Sequence, residues 1–196
     1  MSPRRALFLD RDGVINALVP DPRSGLAESP LRAADVELLD GVVEPLEALA
    51  GAGFLLIGVS NQPAAAKGTA SRAELAAVQE RVLALLAEQG VRFEDFRICW
   101  HHPEGTDPEL GVVCDCRKPA PGMLLEAARD HDIALSRSWL IGDTDADVLA
   151  GAAAGTRTVL IEHAPSAHKR NGASAPTRRA ADLGGAAVAI LDADAS

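Results

Sequence analysis

The chain has 196 residues, of which 47% are hydrophobic and 24% charged, and carries a net charge of −9. That fits one globular domain able to bury a core. The acidic balance, with no run of five basic residues, excludes bulk nucleic-acid binding, and no apolar run approaches the ~20 residues that a membrane span needs.

In chain order, the apolar run Arg5 to Asp10 predicts a buried strand that ends in charge. "MSPRRALFLD" carries no signal-peptide pattern. With only three cysteines in the chain, a reducing cytoplasm is the expected location. "GVVEPLEALAGAG" predicts a helix closed by glycines, and Phe54 to Ser60 a second buried strand. Ser71 with Glu74 forms a capping box at the head of a helix that runs toward Gly90. "DFRICW" predicts a third strand, and residues 99–118 a long loop rich in Pro, Gly and acid. Pro121 opens a helix, "SWLIGD" is a fourth strand, "DADVLAGAAAG" a helix and "RTVLIE" a fifth strand. Pro165 to Pro176 reads as a polar surface loop, and "RRAADL" and "AVAIL" as a closing helix and strand. Alternating strands and helices predict a doubly wound parallel sheet covered on both faces, a three-layer α/β/α arrangement. Ligands in such sheets bind outside the carboxyl ends of the strands.

The chemistry-bearing residues stand at those ends. Asp10 and Asp12 follow the first strand and point to one side if extended geometry persists. One carboxylate can attack an electrophile while its neighbour handles the proton, although a strand-end turn at Asp12-Gly13 explains the pair equally well. Asp143 and Asp147 follow the fourth strand, where they can meet a hard cation such as Mg²⁺ or merely cap the next helix. Ser60 and Asn61 end the second strand with a hydroxyl, an amide and nearby backbone N–H groups that suit phosphoryl oxygens or form only a polar turn, and Lys118 supplies a cation. Cys99-x-His101, then twelve residues, then Cys114-x-Cys116 offers a Cys₃His zinc set that uses every cysteine. His102 competes with His101 as the fourth ligand. A disulfide would leave one thiol over and is disfavoured in cytoplasm.

Taken together, "FLDRDGVIN", "VSNQ", Lys118 and "IGDTDADVLAGAAAG" resemble the haloacid dehalogenase (HAD) superfamily of phosphohydrolases. "CWHHPEGTDPELGVVCDCRKPAPGM" resembles the zinc loop of its D-glycero-D-manno-heptose 1,7-bisphosphate phosphatase branch. The related histidinol-phosphate phosphatases usually have a shorter gap before the C-x-C. The resemblance implies an HAD-like single domain over 1–196 with no large cap. It implies Asp10 as the nucleophile that forms an aspartyl-phosphate, Asp12 as acid and base, and Ser60 and Lys118 on the phosphoryl oxygens. Mg²⁺ would bind Asp10, the Asp12 carbonyl and Asp143, with Asp147 behind them. Asn61, Gln62, Lys67 and Arg117 would meet a small phosphorylated sugar, and a structural Zn²⁺ would sit on the cysteine loop. A monomer is expected, with no nucleic-acid or membrane partner. "NQPAAAKG" replaces the family's common "NQSGIARG", and "ALVPDPRSGLAESP" lacks the usual His/Tyr substrate loop. A histidinol-phosphate or other small-metabolite phosphatase is the rival enzyme reading. A zinc-stapled binding module with an inactive site is the rival of another class.

Overall fold

The structure, a computed structural model, describes residues 3–194. Six parallel strands form one sheet in the spatial order β5-β4-β1-β6-β7-β8. They are β1 (Arg5–Leu9), β4 (Phe54–Asn61), β5 (Asp95–Cys99), β6 (Trp139–Gly142), β7 (Arg157–Ile161) and β8 (Arg178–Ala180). A small antiparallel hairpin, β2 (Val19–Pro20) and β3 (Ala27–Glu28), stands apart from the sheet.

Strand pleating sends alternate side chains to opposite faces, and the two cores follow that alternation. Leu7 and Leu9 of β1, with Trp139 and Ile141 of β6, pack against α1 (Val43–Gly51), α2 (Arg72–Glu88) and α5 (Leu183–Asp194). Ala6 and Phe8 of β1, with Leu140 of β6, pack against α3 (Gly122–Asp130) and α4 (Asp145–Ala154). Each large side chain sealed in this way contributes about 1.5–3 kcal/mol. The predicted three-layer α/β/α sheet is what forms. Between β1 and α1 there is only the hairpin and a 3-10 turn at Ala33–Asp35, with no large cap.

The expected capping box closes the head of α2: Glu74 N–H donates to Ser71 Oγ, and Ser71 N–H donates to Glu74 Oε2. Two expectations at the chain's end are reversed. "RRAADL" contributes β8 rather than a helix, and "AVAIL" lies inside α5 rather than in a strand. Leu183, Ala186, Ala187 and Ile190 are the buried face of α5. Their spacing is helical, and it outweighs the short apolar run that looked like a strand. In β8 two arginines sit on the sheet's outer edge, where charge protects unpaired backbone. The 165–176 stretch is also more than a surface loop. It opens with a 3-10 helix at Ala164–Lys169 that buries Ser166.

Candidate active site and metal centres

The site lies beyond the carboxyl ends of β4, β1 and β6, which are adjacent in the sheet. Asp10 follows β1 and its N–H donates to the Ile141 carbonyl of β6, so the strand pairing itself sets the nucleophile candidate. Asp143 directly follows β6. Two glycines permit the close approach. Gly13, at φ +83°, lies where a Cβ would meet Asp143 Oδ2 at 2.1 Å. At Gly142 a Cβ would meet Asp147 Cγ at 2.3 Å, so only glycine lets the Asp147 carboxylate fold back over the strand end.

A cleft of about 310 Å³ opens here, lined by Asp10, Asp12, Asn61, Lys67, Arg117, Lys118, Asp143 and Asp147 among others. Lys118 is its centre. The buried ammonium lies 2.7 Å from Asp10 Oδ1, 2.6 Å from Asp147 Oδ1 and 2.7 Å from the Val59 carbonyl. Burial works to lower its pKa, but Asp10 and Asp147 outweigh that and hold it above the ordinary lysine value. Asn61 locks its backbone: the amide donates to the Lys118 carbonyl at 2.9 Å and accepts the Lys118 N–H at 3.0 Å.

Asp10, Asp143 and Asp147 are all buried, and their carboxylate oxygens lie within 4.8 Å of one another. Only Asp10 and Asp147 contact the ammonium, so the three carboxylates together carry more negative charge than Lys118 balances. Burial, then the Asp147 and Asp12 charges, push the Asp10 pKa up to about 6 against the pull of Lys118. Burial and the charges of Asp10 and Asp147 push Asp143 up to about 8. Asp143 Oδ1 is buried without a hydrogen-bond partner. Uncompensated buried charge of this kind is what a divalent cation relieves. Asp147 is less free to coordinate, because its Oδ2 accepts the Thr144 N–H and hydroxyl while Oδ1 faces Lys118.

Asp12 sits differently. Its carboxylate accepts four hydrogen bonds: two from Arg11 at 3.1 and 3.0 Å, one from Asn16 at 2.9 Å and one from Gln62 at 2.6 Å. Burial alone would raise its pKa, but the Arg11 charge and these donors outweigh burial and hold the carboxyl below the ordinary range. Gln62 thus lies behind Asp12, and its amide also donates to Ser60 Oγ at 2.9 Å. Neither Ser60 nor Gln62 lines the cleft, although Gln62 does line a neighbouring pocket of about 550 Å³ under the hairpin.

Sequence reasoning passed over Arg11, a fully buried cation whose Nη1 also donates to Gln79 of α2 at 3.2 Å. Its place between two aspartates was the available signal, since a buried arginine needs carboxylate partners. Arg11→Ala is expected to cost about 3–5 kcal/mol, because it leaves Asp12 buried without its cation. The midpoint of chemical denaturation checks this.

The three cysteines are free thiols that converge with one imidazole. Cys116 Sγ lies 3.1 Å from Cys99 Sγ and 3.3 Å from Cys114 Sγ, and His101 Nδ1 lies 3.3 Å from Cys116 Sγ. His101 is therefore the imidazole of the cluster. His102 is turned away, with its Nδ1 accepting the Glu104 N–H at 3.2 Å. Burial and the neighbouring thiols drive the Cys116 pKa well above its ordinary value. Four N/S donors with all atoms within 4.8 Å suit a closed tetrahedral metal site. The loop is also tied to the main body: the Ala66 carbonyl accepts the Thr106 and Asp107 N–H groups, and Arg117 donates to the His101 carbonyl at 3.3 Å.

A parallel sheet that presents carboxylates, a buried lysine and a charge-rich cleft at adjacent strand ends defines an α/β phosphohydrolase. The HAD-hydrolase-like family profile matches residues 115–186. The D-glycero-beta-D-manno-heptose-1,7-bisphosphate 7-phosphatase of Rhodopseudomonas palustris is 39% identical over 155 residues, covering 79% of this chain and 82% of that protein. The protein of the same name from Escherichia coli K12 is 36% identical over 156 residues, covering 80% of this chain and 78% of its own length. Among solved structures, the D,D-heptose 1,7-bisphosphate phosphatase from B. bronchiseptica, complexed with magnesium and phosphate, superposes with a TM-score of 0.78 at 27% identity, covering 96% of this chain and 99% of that one. The chain belongs to this heptose-bisphosphate phosphatase family of HAD-like hydrolases. It is accordingly a phosphoric monoester hydrolase. No helix among the described residues is long and apolar enough to cross a membrane.

Proposed function

We propose that the whole chain acts as one domain that removes the 7-phosphate of D-glycero-D-manno-heptose 1,7-bisphosphate in a magnesium-dependent reaction. The observation that carries the reading is Lys118 bridging Asp10 and Asp147 at the floor of a cleft whose walls include Arg117 and Lys67. The names of the relatives support the substrate.

Lys118 holds Asp10 Oδ1, which leaves the other carboxylate oxygen to attack phosphorus. That attack forms an aspartyl-phosphate and breaks the bond to the sugar oxygen, which takes a proton from Asp12. Asp12 then removes a proton from the water that hydrolyses the aspartyl-phosphate. The resting Asp12 is an ionised carboxylate held by four donors, so it must release at least one of them and take up a proton from solvent before it can act as an acid. Lys118 neutralises phosphoryl oxygens, and Ser60 keeps its own hydroxyl proton while accepting from Gln62. Asp10, Asp143 and the Asp12 carbonyl would hold Mg²⁺, whose charge allows a carboxylate to approach a phosphate dianion. Arg117 and Lys67 face the rest of the sugar phosphate. A phosphate-release assay tests the class: release should need Mg²⁺ and stop on chelation, and release that is indifferent to divalent metal would contradict the reading.

Cys99, His101, Cys114 and Cys116 are proposed to hold one structural Zn²⁺. With four protein donors there is no open position for substrate. Cys116 directly precedes Arg117 and Lys118, so the metal fixes the backbone from which both cations project. Ordering such a loop only when substrate binds would cost ~1–2 kcal/mol per residue. A reducing cytoplasm keeps the thiols available, and a monomer is sufficient for the site. Cys116→Ser is expected to lose zinc and to raise hydrogen exchange across residues 99–118. It should also lower activity while Mg²⁺ still binds. Mass spectrometry of the metal content and hydrogen-exchange rates check this together.

A further inference from the structure

Besides Lys67, Arg117 and Lys118, a fourth cation lines the cleft. Lys169 enters from the segment after β7, and nothing in the motifs accounts for it. Its base is built with care. The Arg170 guanidinium donates to the Asp143 carbonyl at 2.9 Å, and to Ser166 Oγ and the His163 carbonyl at 3.0 Å. The Asp145 carboxylate accepts the Asn171 and Gly172 N–H groups and the Ser174 hydroxyl. The turn that carries Lys169 is thereby fastened to the loop that carries Asp143. A flexible lysine on a fixed base is a cation held at a chosen place.

The Lys169 ammonium lies 2.8 Å from Glu28 Oε2, at the end of β3 in the hairpin. Glu28 lines the cleft too, where an unpaired carboxylate would repel an anionic substrate. The two side chains are 27% and 41% exposed, and a pair this wet contributes little stability. A phosphate dianion offers Lys169 more charge and more acceptor oxygens than Glu28 does.

We infer that Lys169 binds the non-reacting phosphate of the bisphosphate, and that Glu28 is its resting partner, displaced when substrate enters. The inference rests on the bisphosphate reading above and adds the residue that recognises the second phosphate.

Steady-state kinetics with heptose 1,7-bisphosphate and with heptose 7-phosphate test it, since both carry the same reacting group. Lys169→Ala should raise KM for the bisphosphate roughly 10–100-fold and raise it far less for the monophosphate. Lys169→Arg should recover most of the loss. Glu28→Gln should lower KM for the bisphosphate by up to about fivefold, because it removes a competing anion. Equal effects of Lys169→Ala on both substrates would overturn the inference. So would a Glu28→Gln variant that raises KM as Lys169→Ala does, since the pair would then be a structural latch. Either result, with the wild type still turning over the bisphosphate, leaves the proposed function standing. A wild type that hydrolyses no sugar bisphosphate removes that reading, and this inference with it.

Discussion

Asp10→Asn is expected to abolish turnover, with kcat falling roughly 10⁴-fold or more. The amide nitrogen and oxygen do not attack phosphorus as a carboxylate does. The fold should survive, because Asp10 stands beyond the end of β1 rather than within either core. Lys118 also keeps Asp147 and the Val59 carbonyl as partners. Circular dichroism and kcat on the same preparation separate loss of chemistry from loss of structure. A folded Asp10→Asn enzyme with near-normal kcat would mean that another group attacks phosphorus.

Asp12→Asn should slow turnover by ~10²–10⁴-fold, the usual loss for a general acid and base. Esters with good leaving groups need less proton transfer, so their first step should suffer less. The site adds a second consequence. Four donors converge on the Asp12 carboxylate, and an asparagine would turn its own NH₂ toward at least one of them. Stability should therefore fall as well, by about 1–3 kcal/mol for the buried donor left unpaired. Rapid-quench measurement of phosphoenzyme formation with p-nitrophenyl phosphate and with a sugar phosphate checks the kinetic part. Equal losses for both would count against an acid role.

Much of this architecture is legible in the sequence. Short apolar runs ending in Asp10, Ser60 and Asp143 mark strands whose ends converge, because a parallel sheet brings all its carboxyl ends to one edge. Cysteine spacing likewise marked the Cys₃His cluster that the fold assembles. What remained hidden depends on long-range placement. His101 and His102 are adjacent and carry the same donors, and only the loop's path turns one to the thiols and the other to Glu104. Backbone pairing of the Gln62 N–H with the Cys99 carbonyl places its amide against Asp12, a contact that no local pattern in "SNQ" announces. Nothing local in "PSAHKRNGASAP" says that Arg170 returns to Asp143, 27 residues upstream. The exchange of helix and strand at the C-terminus has a local cause. "AVAIL" satisfies both periods over five residues, and only the longer span from Leu183 to Asp194 shows the helical face.

Asp10 and its neighbours are proposed to remove one particular phosphate from a sugar bisphosphate. Phosphorus NMR of heptose 1,7-bisphosphate during turnover tests it most directly. With Mg²⁺ present, the 7-phosphate resonance should give way to inorganic phosphate while the 1-phosphate resonance persists, and a chelator should stop the change. Loss of the 1-phosphate first, or no change at all with Mg²⁺ bound, would contradict the account.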